Sequence, residues 1–260
     1  MHPYSNSAYR RSVVYPRLGF DELYFQEDFE DTSSVRNGLY VSDAANYKKI
    51  ISILEQKKKE ERIFLFNVTM QNHAPYKGIE KTIEFQDTDG YDEVEQYLTL
   101  ANESDKAFEK LLNGLKDFPE PVIVLMFGDH QPSFETDFNS YLFGKRKEDM
   151  TSEENMQKYL VPFYLWANYE IEEKEGLRTS MNYLALPLLE AAGIPKTPYQ
   201  SYLCGLQEEY PVISCSGIID GDGMVYSQSE KEALIPEYLQ LIYYHMSEET
   251  DSNQSLFGYE

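Results

Sequence analysis

The chain has 260 residues, 23 of them basic and 45 acidic, for a net charge of −22. That length buries a full core as one large domain or two small ones, and the charge argues against nucleic acid, which needs a basic face. The same charge disfavours long-range attraction of anions, so a phosphate-handling site here needs a local metal and a local arginine. Nothing reads as a signal peptide and no apolar run nears the ~20 residues of a membrane helix, so the chain as written is expected to be soluble. Cys204 and Cys215 are its only cysteines; two unpaired thiols are favoured over a short disulfide worth about 3 kcal/mol in an oxidising compartment.

The first ~40 residues read as mostly irregular, rich in Tyr, Asp and Ser. Ser42-Asp43 is positioned to cap a helix running to about Lys59, with Tyr47, Ile50, Ile51 and Leu54 on one face. A strand is expected over 63–70, followed by a loop through Gly78 and Gly90. A long helix from Asp92 to Lys116 carries Val94, Leu98, Ala101, Asp105, Phe108, Leu112 and Leu115 at helical spacing. Asp105 interrupts that stripe, either as an exposed edge residue or as a group turned toward a metal site. A strand over 122–127 comes next, then a polar segment from Lys145 to Lys158 long enough to be a lid or insertion. Leu160–Trp166 reads as a third strand, with Pro162 near its start. A helix over Ser180–Ala192 is ended by Gly193 and Pro195. Val212–Ser214 and Met224–Tyr226, either side of Gly221-Asp222-Gly223, read as a hairpin. Glu230–Met246 is a last helix, and residues 247–260 read as a loosely ordered tail. The β-α-β alternation predicts an α/β domain with a mainly parallel sheet flanked by helices, over residues 1–246, with a small C-terminal hairpin plus helix.

Chemistry gathers at two strand ends. The apolar run Val122–Phe127 stops in Gly128-Asp129-His130-Gln131-Pro132, and a strand stopping there delivers a carboxylate and an imidazole to a sheet edge, where open α/β proteins place their sites. Gly128 is expected to let the backbone turn sharply. An adjacent oxygen and nitrogen ligand suit a divalent cation such as Mn²⁺ or Zn²⁺. The second run, Ile63–Met70, ends in Gln71-Asn72-His73-Ala74-Pro75-Tyr76. Each signal alone is weak, since a histidine after a strand is more often structural, but both in a chain of four histidines point to one metal-dependent site.

The segments Thr69-Met70-Gln71-Asn72-His73-Ala74-Pro75-Tyr76 and Phe127-Gly128-Asp129-His130-Gln131-Pro132 resemble signatures of the lipoteichoic acid synthase-like group, bacterial phosphoglycerol transferases of the sulfatase family within the alkaline-phosphatase superfamily. His2-Pro3-Tyr4, Tyr9-Arg10-Arg11, Val14-Tyr15-Pro16-Arg17-Leu18-Gly19-Phe20-Asp21 and Tyr40-Val41-Ser42-Asp43 are similar to the same group, collinearly from residue 2 to about 245. The resemblance implies an alkaline-phosphatase-like fold, and Asp129 and His130 as two metal ligands, for manganese first, with magnesium, zinc or calcium as alternatives. It implies that His73 contacts the transferred phosphoglycerol or assists proton transfer, that Arg11 binds the substrate phosphate, and that Tyr9 and His2 also belong to the substrate site. Tyr9 stands where relatives carry Trp, and Tyr4 where some carry an Asp that touches glycerol, which leaves the head group open.

The resemblance also implies a nucleophilic Thr, an acidic metal ligand and a membrane-spanning region upstream of His2-Pro3. The chain therefore reads as the C-terminal part of a catalytic domain on the extracytoplasmic face of a bacterial membrane, with an incomplete metal site and little or no activity by itself. Its expected partner is a phosphoglycerol-bearing lipid or envelope polymer. The alternative is a non-catalytic remnant that binds a metal or an anionic glycerol-phosphate head group without turnover.

Overall fold

Tyr9 and Arg10 both sit in the left-handed region, with φ of 55° and 54°, and the chain then enters a short helix, α1 (Arg11–Arg17). In this computed structural model residues 1–29, 39–84, 90–134, 137–246 and 254–258 are described. They divide into unit 1, residues 1–120 with 132–138, and unit 2, residues 121–131 with 139–260.

In unit 1, Ser42 caps α2 (Asp43–Gln56) as expected, its hydroxyl accepting from the Ala45 amide at 3.2 Å. The helix ends earlier than the sequence reading placed it, with Lys57 already extended. α3 (Asp92–Lys116) has the expected bounds and packs on α2. Its buried stripe includes Val94, Thr99, Leu100, Ala107, Phe108, Leu111 and Leu115. Asp105 is exposed, so of its two readings the edge residue holds, and the neighbouring Ser104 points inward instead. Met1, Phe29, Val41 and Ala45 form a buried cluster against Tyr24, Ile50, Ile53 and Leu65.

The expected strand at 63–70 belongs to no ladder among the described residues. Its recorded main-chain pairing is with Met1, whose amine donates to Phe66 O (2.6 Å) while Val68 N donates to Met1 O (3.1 Å). That is the bond pattern of a parallel bridge, too short to count as a strand.

In unit 2, β1 (Ile123–Phe127) is followed by α4 (Phe138–Phe143), α5 (Ser152–Gln157) and β2 (Phe163–Ala167). β1 and β2 pair antiparallel, Phe127 opposite Phe163. This corrects the expectation of a mainly parallel sheet: among the described residues both sheets are antiparallel. The alternation of strands and helices makes the chain α/β, but it specifies crossover direction only when consecutive strands join one ladder. Residues 145–158 contain helical structure. Thr151 and Glu154 form a reciprocal capping box that starts α5.

α6 (Ala185–Ala191) occupies the second half of the expected 180–192 helix and stops at Gly193, φ 63°. α7 (Pro198–Glu209) lies where no helix was read, launched by a Thr197–Gln200 capping box with Pro198 in its first turn. The expected hairpin is a three-stranded sheet, β3 (Val212–Ile213), β4 (Gly217–Ile219) and β5 (Val225–Ser227), with β4 in the middle. Gly217 permits this, because a Cβ there would stand 2.2 Å from Tyr226 O. Pro236 splits the expected last helix into α8 (Gln228–Leu234) and α9 (Pro236–Met246). Tyr183, Leu186, Leu203, Ile218, Ile235 and Tyr238 form the core of this unit. Of the expected tail, residues 247–253 and 259–260 lie outside the described residues, while α10 (Gln254–Phe257) places Phe257 against Tyr199, centroids 4.9 Å apart. Both cysteines are free thiols. No helix among the described residues is long and apolar enough to cross a membrane.

Candidate functional site

Unit 1 gathers Tyr9, Arg11 and His73 into one cluster. His73 follows the buried Met70-Gln71 pair in a turn closed by its own amide bonding to Met70 O at 3.1 Å, which leaves its ring exposed. Its Nδ1 lies 2.9 Å from Ala74 O and its Nε2 3.0 Å from the Tyr9 hydroxyl. A carbonyl can only accept, so that contact places the proton on Nδ1 and leaves Nε2 as the acceptor from Tyr9. Tyr40, buried beneath, donates to Ala74 O at 2.9 Å and meets the His73 ring edge-on.

Arg11 opens α1 directly after the left-handed pair. Its guanidinium carbon stands 4.9 Å from the Tyr9 ring centroid and 5.9 Å from that of Tyr15. Its Nη1 is buried with no hydrogen-bond partner, and it makes no ion pair among the described residues. In a chain with 45 acidic residues, this arginine faces aromatic rings and no carboxylate among the described residues. Two consecutive non-glycine residues at positive φ cost of order 1 kcal/mol or more each, and strain of this kind collects where geometry serves function.

His2 is placed differently from the other three. It is fully buried, edge-on to Tyr4 and Tyr9, with neither ring nitrogen in a completed hydrogen bond. Burial, and then the Arg11 charge, hold its imidazole down to about 4 against a weak upward pull from the Val68 backbone. It supports the Tyr9 ring as a neutral group and does not face solvent.

The sequence reading did not single out the polar group beneath this turn. Asp43 is buried, and burial pushes its carboxyl up to about 6 despite the Ser104 hydroxyl donating to it at 2.6 Å and a downward pull from the Gln71 backbone. The Ser42-Asp43 cap marked a helix start, but nothing in the spacing revealed that the second residue of that cap is enclosed.

Unit 2 presents Asp129 and His130 at the end of β1. Gly128 does not adopt positive φ; it is needed because a Cβ there would come within 3.0 Å of Val161 Cβ. This corrects the expected sharp-turn role. The Gly128 amide donates to Pro162 O at 3.1 Å, which extends the pairing past the strand end. Both side chains are exposed, with Asp129 Oδ2 and His130 Nε2 3.6 Å apart. His130 Nδ1 lies 2.8 Å from Gln131 O, which fixes the proton there and leaves Nε2 free to ligate. A carboxylate oxygen and an unprotonated imidazole nitrogen this close would both be available as ligands of one divalent cation. No group of three or more such side chains occurs among the described residues.

The Asp-His strand end of unit 2 and the Arg-Tyr-His cluster of unit 1 carry the motifs of the sequence, and comparison with known proteins places the chain in a family. The family model for Sulfatase matches residues 1–194, and the chain belongs to the sulfatase family. It is 34% identical over 133 residues to the capsular polysaccharide biosynthesis protein RkpI of Rhizobium meliloti, covering 51% of this chain and 23% of that protein. It is 24% identical over 169 residues to lipoteichoic acid synthase 2 of Bacillus subtilis, covering 64% of this chain and 26% of that one. The chain thus spans about a quarter of the length of these relatives. Among solved structures, the phosphoglycerol transferase GacH of Streptococcus pyogenes, in complex with sn-glycerol-1-phosphate, matches all of this chain and 64% of its own, with a TM-score of 0.73 and 23% identity. The fold is therefore alkaline-phosphatase-like, and the resemblance read from the motifs is borne out.

Proposed function

We propose that this chain carries the phosphate-recognition groups, and two cation ligands, of a metal-dependent phosphoglycerol transferase acting on a lipid or polymer of the bacterial cell envelope. The supporting observation is Arg11, whose buried Nη1 has no hydrogen-bond partner among the described residues and whose guanidinium lies over Tyr9, the hydroxyl of which meets His73 Nε2 at 3.0 Å. Arg11 forks onto two phosphate oxygens, and Tyr9 aligns the imidazole and yields its bond to an incoming phosphate oxygen. His73, its Nδ1 proton anchored on Ala74 O, uses Nε2 to accept or return the proton of the attacking or leaving hydroxyl. In unit 2, Asp129 and His130 would hold a divalent cation, manganese by the family resemblance, which would supply positive charge and Lewis acidity when bound. The relatives' roles in capsule and lipoteichoic acid synthesis support an envelope substrate outside the membrane.

Covalent transfer needs an activated hydroxyl, and among the described residues the cluster offers an imidazole, a guanidinium and the Tyr9 phenol, with no Ser or Thr bonded to His73. The chain alone therefore binds sn-glycerol 1-phosphate without turning over a phosphoglycerol donor. Calorimetric titration tests this: Arg11→Ala should weaken binding by about tenfold or more, and Arg11→Lys should restore part of it, because a point charge lacks the fork. Equal affinity in wild type and Arg11→Ala would reduce Arg11 to a surface charge.

A further inference from the structure

Beneath the His73 turn, the Ser104 hydroxyl has a complete and directional set of bonds. The Ser104 hydroxyl, from α3, donates to Asp43 Oδ2 at 2.6 Å and accepts from Gln71 Nε2 at 3.0 Å and Asn72 Nδ2 at 2.9 Å. A hydroxyl has one proton and two lone pairs, so this arrangement uses all three. Gln71 is bonded on its other side as well: Oε1 accepts from the Asp43 amide at 2.9 Å and Nε2 reaches Leu100 O at 3.1 Å. Asn72 O accepts from Tyr76 OH at 2.9 Å. The two residues that precede His73 are thus tied to the start of α2 and the middle of α3 through one serine, while Tyr40 ties the residue after it.

Ser104 also has a competing choice. Asn72 Oδ1 lies 3.2 Å from the same hydroxyl, and Asp43 Oδ1, though buried, has no partner. The carboxylate at 2.6 Å is the stronger acceptor, and while it takes the proton Asn72 must serve as donor, which fixes the amide's orientation and with it the turn. Remove the carboxylate and the serine can turn to Asn72, releasing that constraint.

We propose that Asp43, acting through Ser104 on the side chains of Gln71 and Asn72, is a positioning residue that holds His73 with Nε2 presented to Tyr9 and to bound phosphate. This rests on the phosphoglycerol reading for the ligand but not for the geometry. A core of this polarity costs stability that an apolar packing of α2 on α3 would not, and the residues it restrains are those of the His73 turn.

Two readouts on the 260-residue chain separate the possibilities. In the ligand-free chain labelled with ¹⁵N, the His73 ring should show one tautomer, with Nδ1 protonated. Ser104→Ala and, independently, Asp43→Ala should average that pattern toward a mixture, and should weaken sn-glycerol 1-phosphate roughly tenfold. Ser104→Thr, which keeps the hydroxyl, should retain the wild-type pattern and affinity, a rescue that mere loss of packing would not produce. An unchanged His73 pattern in both alanine variants, or equal damage in Ser104→Thr, overturns the proposal. If the wild type binds no glycerol phosphate, the functional reading fails while the ligand-free His73 spectra still decide this inference.

Discussion

His2 and Asp43 are both buried in unit 1 and their titrations act on stability in opposite directions. His2 is held down to about 4 when folded and returns to about 6.5 when unfolded. Between those values the unfolded chain binds a proton that the folded chain does not, so stability falls as pH drops through this window. Asp43 is pushed up to about 6 from an ordinary 3.8. Here the folded chain takes the proton first, so stability rises as pH drops from about 6 toward 4. Each group contributes up to about 1.4 kcal/mol per pH unit where its linkage is full, or about 1.5 kcal/mol between about pH 6 and pH 4.5, and in the wild type the two nearly cancel. Single substitutions should separate them. Asp43→Asn, whose amide oxygen can still accept from Ser104, should lose about 1.5 kcal/mol more than wild type on that acid step, and His2→Phe about 1.5 kcal/mol less. Urea unfolding followed by circular dichroism at the two pH values gives both differences. If the two variants keep the wild-type pH slope, neither group titrates as its burial requires, and the reasoning is wrong.

Asp129→Ala and His130→Ala should each lower Mn²⁺ affinity by about tenfold in calorimetric titration, since each deletes one of two donors 3.6 Å apart; unchanged binding in both would remove the ligand assignment. Gly217→Ala should destabilise unit 2 by about 2 kcal/mol or more in urea unfolding, because the new Cβ meets Tyr226 O at 2.2 Å and the β4–β5 pairing must shift. Tyr40→Phe should cost about 1 kcal/mol through the lost bond to Ala74 O, with a matching broadening of the His73 ring signals.

Long amphipathic periodicity and capping chemistry were legible in the sequence: α3 has the bounds its stripe implied, and Ser42 starts α2. The boxes at Thr151-Ser152-Glu153-Glu154 and Thr197-Pro198-Tyr199-Gln200 were equally available, and they account for α5 and α7, which polar composition and a weak stripe had hidden. Strand pairing was not legible. Ile63–Met70 and Val122–Phe127 are similar apolar runs, yet one is bonded only briefly to Met1 and the other is a strand paired antiparallel with β2. Direction and partner depend on contacts far along the chain. The proposed site residues were visible as motifs, but the enclosed Asp43–Ser104 pair required the packing of α2 on α3, where two polar residues 61 positions apart meet. His2 was visible as part of a motif, and its burial was not.

The four histidines, His2, His73, His130 and His245, make the phosphate-recognition proposal directly readable. In a ¹⁵N-labelled chain titrated with sn-glycerol 1-phosphate, the His73 ring and the Arg11 side chain should shift together and saturate at one affinity. The His2 ring should stay neutral, and Arg11→Ala should abolish the His73 response. Binding that leaves His73 unmoved, or a His73 response that persists unchanged in Arg11→Ala, would contradict the assignment of this cluster as the phosphoglycerol site.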